Sequence, residues 1–323
     1  MINVLLLFGG DSEEHMVSCK SAKNILENID HKKFNVTSVG IKGNWYIFND
    51  NLEYLENGNW LDSNVTKIDN IIEFIKSFDV VFPIIHGNTC EDGKIQGMLE
   101  MFNIKYVGCD SSSNLISYDK DLTKIILNSY NIKQVNHITI DKNYNIKNII
   151  KKLKFPLIIK PSRCGSSIGI TKANNKNELK KAINVALKHD NKVVVEEFVN
   201  ARELECAILE NNGLKVSDIG EIITNCEFYD YNAKYNDSDS KTIVSADIPD
   251  NIKKQIKEIA IKVFKSLNCK TMARVDFLYN GNIYLNEINT IPGFTCISMY
   301  PMLLTNEKFT YKDLITALIK SAL

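Results

Sequence analysis

The chain has 323 residues, with 39 basic and 39 acidic side chains and a hydrophobic share of 44%. This length predicts two or three domains with real cores, and the balanced charge leaves no broad basic field for nucleic acid. No apolar run approaches the ~20 residues of a membrane span, and no basic segment of a signal peptide precedes the first apolar run. The eight cysteines form no C-x-x-C pair, which favours free thiols and a cytoplasmic location.

The first predicted elements are an apolar strand over 3–8, a Gly9-Gly10 turn and a helix from about Val17. Strand, glycine turn and helix together predict the opening of a doubly wound α/β domain, and the dinucleotide pattern G-x-G-x-x-G is absent. Glu14 then lies at the carboxyl end of a parallel strand, where this fold binds ligands. A second apolar run over 79–85 ends at His86. A lone histidine there is more often structural than functional.

The middle of the chain predicts a small-residue loop between two strands. A run over 155–160 ends at Lys160, and the Gly- and Ser-rich segment 161–170 follows it. Such a loop exposes backbone N–H groups that can surround phosphate oxygens, although the P-loop pattern is missing. A flexible β-hairpin is the alternative. The polar segment 110–114 breaks the preceding pattern and predicts a change of domain near 109–117, just before a helix that carries Lys120.

Two later segments differ sharply in character. Aromatic residues followed by Ser and Asp over 228–240 predict a loop that orders on closure. The helix that begins at Asp250 has a regular apolar stripe, which indicates core packing without chemistry.

The last predicted element is a hairpin with an acidic face. Apolar runs over 275–278 and 283–285 are joined by Asn280-Gly281, a strong hairpin signal. Glu287 and Asn289 share a strand face, and Asp276 joins them from the neighbouring strand. Two carboxylates and an amide oxygen on a dry face would need a cation, and hard oxygen ligands suit Mg²⁺. Scattered acids facing solvent are the alternative.

Six motifs, in this order, resemble the signature of the D-alanine–D-alanine ligases, a branch of the ATP-grasp superfamily that includes the related D-Ala–D-Ser ligases. They span positions 9 to 300: GGDSEEHMVS from Gly9, HGNTCEDG from His86, KPSRCGSSIG from Lys160, RVDF from Arg274, NEINTIPGFT from Asn286 and SMYP from Ser298. The chain departs from the family pattern at Cys90, Cys164 and Asn232, and no role is assigned to the two cysteines.

The resemblance implies an α/β fold with a three-domain ATP-grasp architecture. An N-terminal doubly wound parallel-sheet domain over 1–112 would bind substrate, a central domain over 113–196 would be the ATP-grasp lid, and a C-terminal domain over 197–323 would bind metal. ATP would lie between the last two domains. Relatives are commonly homodimers, so a homodimer is also implied.

The resemblance also implies residue roles. Glu14 would hold the ammonium group of the first D-amino acid, and Tyr235 with Ser166 would tie the lid to it. Arg274 and the Gly293 amide would face the tetrahedral oxyanion. The residues near the substrate carboxylates would be His86, Ser298 and Met299. Those that bind ATP would be Lys120, Lys160, Ser167, Glu196, Glu197, Phe198, Val199, Glu203 and Lys234. Those that bind Mg²⁺, or Mn²⁺, would be Asp276, Glu287 and Asn289.

The implied activity is ATP-driven joining of two D-alanines through an acyl phosphate, for peptidoglycan precursor synthesis. The Lys234-Tyr235 pair resembles the D-alanine type more than the D-lactate type, and Met299 suits a methyl group. A D-Ala–D-Ser ligase is the alternative within the family. Two alternatives outside the family also stay open: another ATP-grasp carboxylate–amine ligase, and a non-catalytic nucleotide-binding protein. Glu14 and the Tyr235 loop argue against the former, and the intact metal set argues against the latter.

Overall fold

The computed structural model describes residues 1–223, 241–306 and 309–323. Lys234, Tyr235 and the predicted covering loop over 228–240 lie outside the described residues. Within the described segments, three β-sheets carry helices on their faces. None of the helices there is long and apolar enough to cross a membrane.

The first sheet has a parallel centre and an antiparallel extension. Strand β1 pairs in parallel with β2 and β5, while β3 and β4 add on in antiparallel fashion, giving the order β4-β3-β2-β1-β5. Residues 4–8 of β1 are all buried, as expected for a central parallel strand. The strands are β1 Ile2–Gly9, β2 Phe34–Lys42, β3 Asn44–Phe48, β4 Val65–Lys67 and β5 Val80–Pro83; the helices are α1 His15–Asn28, α2 Glu53–Asn57, α3 Ile71–Ile75 and α4 Lys94–Met101. This arrangement confirms the predicted doubly wound opening.

Two helices lead from the first sheet to the second. They are α5 Ser111–Tyr118 and α6 Lys120–Ser129. The polar segment 110–114 begins a helix, because the Asp110 side chain accepts a hydrogen bond from the Ser113 amide at 2.8 Å and so caps α5. The change of domain near 109–117 stays a prediction. Leu127 of α6 and Ile132 pack in the same core as residues 204, 206 and 208 of the third sheet described below. The domain boundaries at 112/113 and 196/197 stay a prediction.

The second sheet, here called the lid sheet, has the order β6-β9-β7-β8 and is antiparallel. Its elements are β6 His137–Ile140, α7 Ile146–Lys152, β7 Leu157–Pro161, β8 Thr171–Ala173, α8 Lys176–Ala186 and β9 Val193–Glu197. Because side chains alternate along a strand, Leu157 and Ile159 enter the core under α7 and α8. Lys160 of β7 and Glu196 of β9 therefore fall on the opposite face.

The third sheet, here called the C-terminal sheet, is antiparallel with the order β13-β12-β10-β14-β15, and β11 pairs with β10. Its elements are β10 Arg202–Glu210, β11 Leu214–Val216, β12 Gly220–Ile223, β13 Lys241–Ile243, α9 Asp250–Ser266, β14 Met272–Tyr279, β15 Ile283–Asn289, α10 Met299–Thr305 and α11 Tyr311–Ser321. Along β10, Cys206 and Ile208 pack in one core with α9, whereas Ala207 and Leu209 join the core of the first sheet. The sheet therefore has two buried faces.

Candidate active site

Two connected cavities lie between the sheets. A cleft of about 780 Å³, here called the interdomain cleft, separates the lid sheet from the C-terminal sheet. A smaller space, here called the inner cavity, is lined by Glu14 and His86 from the first domain and by Gly293 from the C-terminal segment. Lys120 and Glu287 line both spaces. The polar walls suit charged or polar ligands.

The hairpin of β14 and β15 brings the predicted metal ligands to one face. Asp276 pairs in register with Glu287, and Arg274 pairs with Asn289, with a bulge between Asp276 and Phe277. Asp276 and Glu287 line the interdomain cleft, and Asn289 lines the inner cavity. In the described segments no group of three His, Cys, Asp or Glu side chains is placed for a metal ion. The fit to Mg²⁺ therefore depends on the amide oxygen completing a set of two carboxylates.

Arg274 is held rigidly among these acids. Its Nε donates to Asp276 Oδ1 at 2.8 Å, its Nη2 donates to Asp276 Oδ2 at 2.7 Å, and Nε lies 3.0 Å from Glu205 Oε2. Burial lowers the pKa of Arg274, but Asp276 and Glu205 outweigh that effect and leave the pKa well above its usual value. The guanidinium is thus a fixed positive charge beneath the hairpin face, in contact with two carboxylates.

A buried ion triad lies on the lid side of the cleft. Glu196 Oε2 is 2.8 Å from Lys160 Nζ, and Glu196 Oε1 is 2.7 Å from Lys124 Nζ. Burial raises the pKa of Glu196, but the two ammonium groups outweigh it and hold that pKa well below its usual range. Burial likewise lowers the pKa of Lys160, and Glu196 more than reverses this. Two lysines face one glutamate, so the triad has a formal net charge of one positive unit. Lys160 Nζ also donates to Asn286 Oδ1 at 3.2 Å, across the cleft.

Lys120 stands where the two cavities meet. Asp119 caps α6 by accepting bonds from the amides of Asp121 and Leu122. Lys120 Nζ then donates at 2.7 Å to the carbonyl of Cys164, in the Gly- and Ser-rich loop 161–170, here called the lid loop. It also lies 3.6 Å from Glu287 Oε2. One lysine therefore touches both the small-residue loop and the acidic hairpin, at a position suited to phosphate oxygens.

The last residue of β9 and the segment that follows it form the far wall of the cleft. The Glu197 amide donates to the Asn136 carbonyl at 3.0 Å, and the Phe198 amide donates to the Pro156 carbonyl at 2.8 Å. Lys172 Nζ lies 4.1 Å from the centre of the Phe198 ring. Other predicted nucleotide contacts on the cleft wall are Ser167, Val199 and Glu203. Base recognition by this segment stays a prediction, and the two amides above are already bonded within the protein.

Glu14 joins the first domain to the lid. It is buried, and its Oε1 accepts a hydrogen bond from Ser166 Oγ of the lid loop, 152 residues away. Glycines leave the room for this contact, since a Cβ atom at Gly165 would lie 2.6 Å from Glu14 Oε2 and one at Gly87 would lie 3.0 Å from it. Ser166 and Ser167 have φ of 47° and 59°, a left-handed conformation that is uncommon outside glycine and concentrates at ligand-binding loops.

The remaining predicted substrate residues form the far wall of the inner cavity. Ser298 Oγ accepts from the Thr295 amide at 3.0 Å, and a Cβ atom at Gly293 would lie 2.7 Å from that oxygen. Met299 is buried there. His86 is also buried; its Nδ1 lies 3.1 Å from the Ile291 carbonyl and its Nε2 lies 3.2 Å from Ser21 Oγ. Both ring nitrogens thus have protein partners, and a direct contact of His86 with substrate stays a prediction.

Sequence reasoning missed Lys124. It lies four residues after Lys120, a spacing that places both on one helix face, and this was the only available signal. Exposed lysines without a function can have the same spacing. Only the three-dimensional contact with Glu196 distinguishes Lys124 from them.

The two-layer clamp around a polar cleft, with an acidic hairpin opposite a lysine-bearing lid, is an ATP-grasp fold. Profiles of two family domains match the chain, the D-ala D-ala ligase N-terminus over residues 3–109 and the D-ala D-ala ligase C-terminus over residues 124–320. The chain belongs to the D-alanine–D-alanine ligase family.

Relatives and solved structures agree with that assignment. The chain is 44% identical to the D-alanine–D-alanine ligase of Clostridium acetobutylicum, covering 99% of this chain and 97% of that one. It is 41% identical to that of Acetivibrio thermocellus, covering 99% and 95%. Among solved structures, the VanG D-Ala:D-Ser ligase from Enterococcus faecalis superposes with a TM-score of 0.91 at 35% identity, covering 100% and 99%. The D-alanine-D-alanine ligase from Coxiella burnetii gives 0.88 at 32% identity, covering 99% and 93%.

Proposed function

We propose that the protein joins two D-alanines into D-alanyl-D-alanine with ATP, supplying a peptidoglycan precursor. The observation that carries this proposal is the contact of Glu14 with Ser166. It places a buried carboxylate, suited to a substrate ammonium group, beside a lid loop suited to phosphate, in one connected space with the Gly293 amide. A general nucleotide-binding protein would not need this junction.

The reaction has two steps. A carboxylate oxygen of the first D-alanine attacks the γ-phosphorus of ATP, the bond to the β,γ-bridging oxygen breaks, and ADP leaves. The resulting acyl phosphate carries a good leaving group. The amine of the second D-alanine then attacks the acyl carbon, the tetrahedral oxyanion collapses, the C–O bond to phosphate breaks, and the amine loses a proton. Water must be excluded while the acyl phosphate exists.

The chain's own residues meet the electrostatic demands of these steps. We assign Lys120, Lys160 and Ser167 to the phosphates, which need their charge neutralised. The oxyanion needs donors already oriented toward it, for which Arg274 and the Gly293 amide are the candidates. Asp276, Glu287 and Asn289 would hold Mg²⁺, which when bound supplies charge neutralisation at the transferred phosphoryl group. By family resemblance Lys234 and Tyr235 complete the site.

The remaining assignments concern binding, location and assembly. We assign base recognition to residues 196–199 and ribose recognition to Glu203. Ser298 and His86 belong to the side of the cavity that faces the substrate carboxylates. The seven cysteines in the described part of the chain are free thiols, which supports a cytoplasmic location. A homodimer is proposed from family resemblance alone.

D-serine as second substrate is the alternative, favoured by the likeness to the VanG enzyme. Against it, buried Met299 gives an apolar wall suited to a methyl group, and a Cβ atom at Gly220 would lie 2.9 Å from its sulfur. Phosphate release with D-alanine alone, compared with D-alanine plus D-serine or D-lactate, tests this choice. We expect the highest kcat/KM with D-alanine alone, and a strong preference for a mixed pair would overturn the D-alanine assignment.

Gly165→Ala is expected to lower kcat/KM for D-alanine by about 10²-fold, because a displacement of about 1 Å at a reacting centre has effects of that size. The added Cβ atom would lie 2.6 Å from Glu14 Oε2 and would push the lid loop away. Steady-state phosphate release measures the change. Gly97→Ala is the matched control, since its Cβ atom would make only an ordinary 3.7 Å contact. Equal kinetics for the two variants would contradict the prediction.

A further inference from the structure

The turn that carries Gly293 is fixed by residues that neither the predicted site nor the metal set includes. The Phe294 carbonyl accepts two hydrogen bonds at 2.7 Å, one from Asn24 Nδ2 of α1 and one from the Tyr311 hydroxyl of α11. Asn24 Nδ2 also donates to the Tyr311 hydroxyl at 2.7 Å. The Asn24 amide, the Tyr311 hydroxyl and the Phe294 carbonyl are therefore joined pairwise by three hydrogen bonds, which form a closed ring of bonds.

The same turn is held on its amide side. The Phe294 amide donates to Ser21 Oγ at 3.1 Å, which leaves the Ser21 hydroxyl proton for His86 Nε2 at 3.2 Å. His86 Nδ1 then donates to the Ile291 carbonyl at 3.1 Å. Peptide groups on both sides of Gly293 are thus bonded to the first domain.

The Gly293 amide, in contrast, is available to a ligand. Gly293 lines the inner cavity, and no acceptor among the described residues bonds to its amide. Burial raises the pKa of the Tyr311 hydroxyl far above its ordinary value, so that group remains a donor throughout the working pH range. The Phe294 ring is fully buried and packs edge-on to Tyr311 with centroids 6.2 Å apart, which also restrains the turn.

We propose that Ser21, Asn24 and Tyr311 are positioning residues that hold the 291–294 turn so that the Gly293 amide faces the oxyanion. This inference rests on the proposed function. An oxyanion donor is effective only when it is oriented before the reaction begins, and a backbone donor is oriented through its neighbouring peptide groups. The fold therefore uses α1 of the first domain to hold the Phe294 carbonyl, 270 residues further along the chain, and with it the neighbouring Gly293 donor.

The test breaks the ring of bonds from either side. Tyr311→Phe removes the hydroxyl, and with it two of the three bonds, but keeps the aromatic packing, whereas Asn24→Ala removes both amide N–H donors. Because complete loss of such a donor costs about 10²–10³ in rate, we expect partial misalignment to lower kcat by about 10-fold in each variant. Binding of a tetrahedral phosphinate analogue of the dipeptide should weaken in parallel, since it resembles the transition state. The dissociation constant of a non-hydrolysable ATP analogue should not change.

Matched controls are Tyr130→Phe and Asn35→Ala, both on the surface. If kcat and phosphinate affinity match wild type in both ring variants, the positioning role is wrong. It is also wrong if ATP-analogue affinity and Tm fall together with kcat, since that pattern marks a general structural role. If the wild type itself releases no phosphate with D-alanine, the proposed function fails. The positioning role is then tested by hydrogen exchange of the Gly293 amide. Exchange at the wild-type rate in both variants overturns the positioning role.

Discussion

Glu14→Gln is expected to raise the KM for the first D-alanine by about 10²-fold or more, because truncating one partner of a buried charge pair costs about 2–5 kcal/mol. Glu14 is 7% exposed and lies in the inner cavity. A substrate ammonium group bound there would lose its countercharge, although glutamine keeps an oxygen that accepts from Ser166. Phosphate release as a function of D-alanine concentration measures the change.

The control for this prediction is Glu13→Gln, one residue earlier and exposed. It removes the same charge without touching the cavity and should leave the KM unchanged. Affinity for a non-hydrolysable ATP analogue should be the same in both variants, because Glu14 does not line the interdomain cleft. A wild-type KM in Glu14→Gln would show that another group binds the ammonium.

The hairpin was predictable because its signals are local. Asn280-Gly281 between two apolar runs predicted the turn, and strand alternation predicted that Glu287 and Asn289 share a face. The structure adds the register, in which Asp276 lies opposite Glu287. The parallel sheet of the first domain was predictable for the same reason. The apolar run of the first strand and the glycine turn after it are local signals of a strand followed by a helix.

Contacts between distant segments were not predictable from the residues alone. Nothing near Glu14 indicates that Ser166 will donate to it, and nothing near Asn24 indicates the Phe294 carbonyl. Only resemblance to a family named Glu14 and Ser166 as a pair. The start of α5 at Ser111 was ambiguous for a different reason, because a cluster of Ser after Asp is typical both of a loop and of a helix start. Packing of α5 against its neighbours selects the helix.

Glu287→Gln is expected to lower kcat by about 10²- to 10³-fold, since a metal ion contributes several kcal/mol to stabilising transition-state charge and each 1.36 kcal/mol is a factor of ten. Glutamine keeps one oxygen ligand but removes the negative charge, so the concentration of Mg²⁺ needed for half-maximal rate should rise as well. It also leaves Lys120 without the carboxylate that lies 3.6 Å away.

The measurement is phosphate release across a series of Mg²⁺ concentrations, with Glu258→Gln on the exposed face of α9 as the control. Chelation should stop turnover in the wild type, and added Mg²⁺ should restore it. Raising Mg²⁺ should recover part of the activity of Glu287→Gln, because the variant weakens metal binding as well as charge neutralisation. If Glu287→Gln reaches its half-maximal rate at the same Mg²⁺ concentration as the wild type, the metal ion is bound elsewhere. The role of the hairpin would then be to hold Arg274, whose bonds to Asp276 do not involve Glu287.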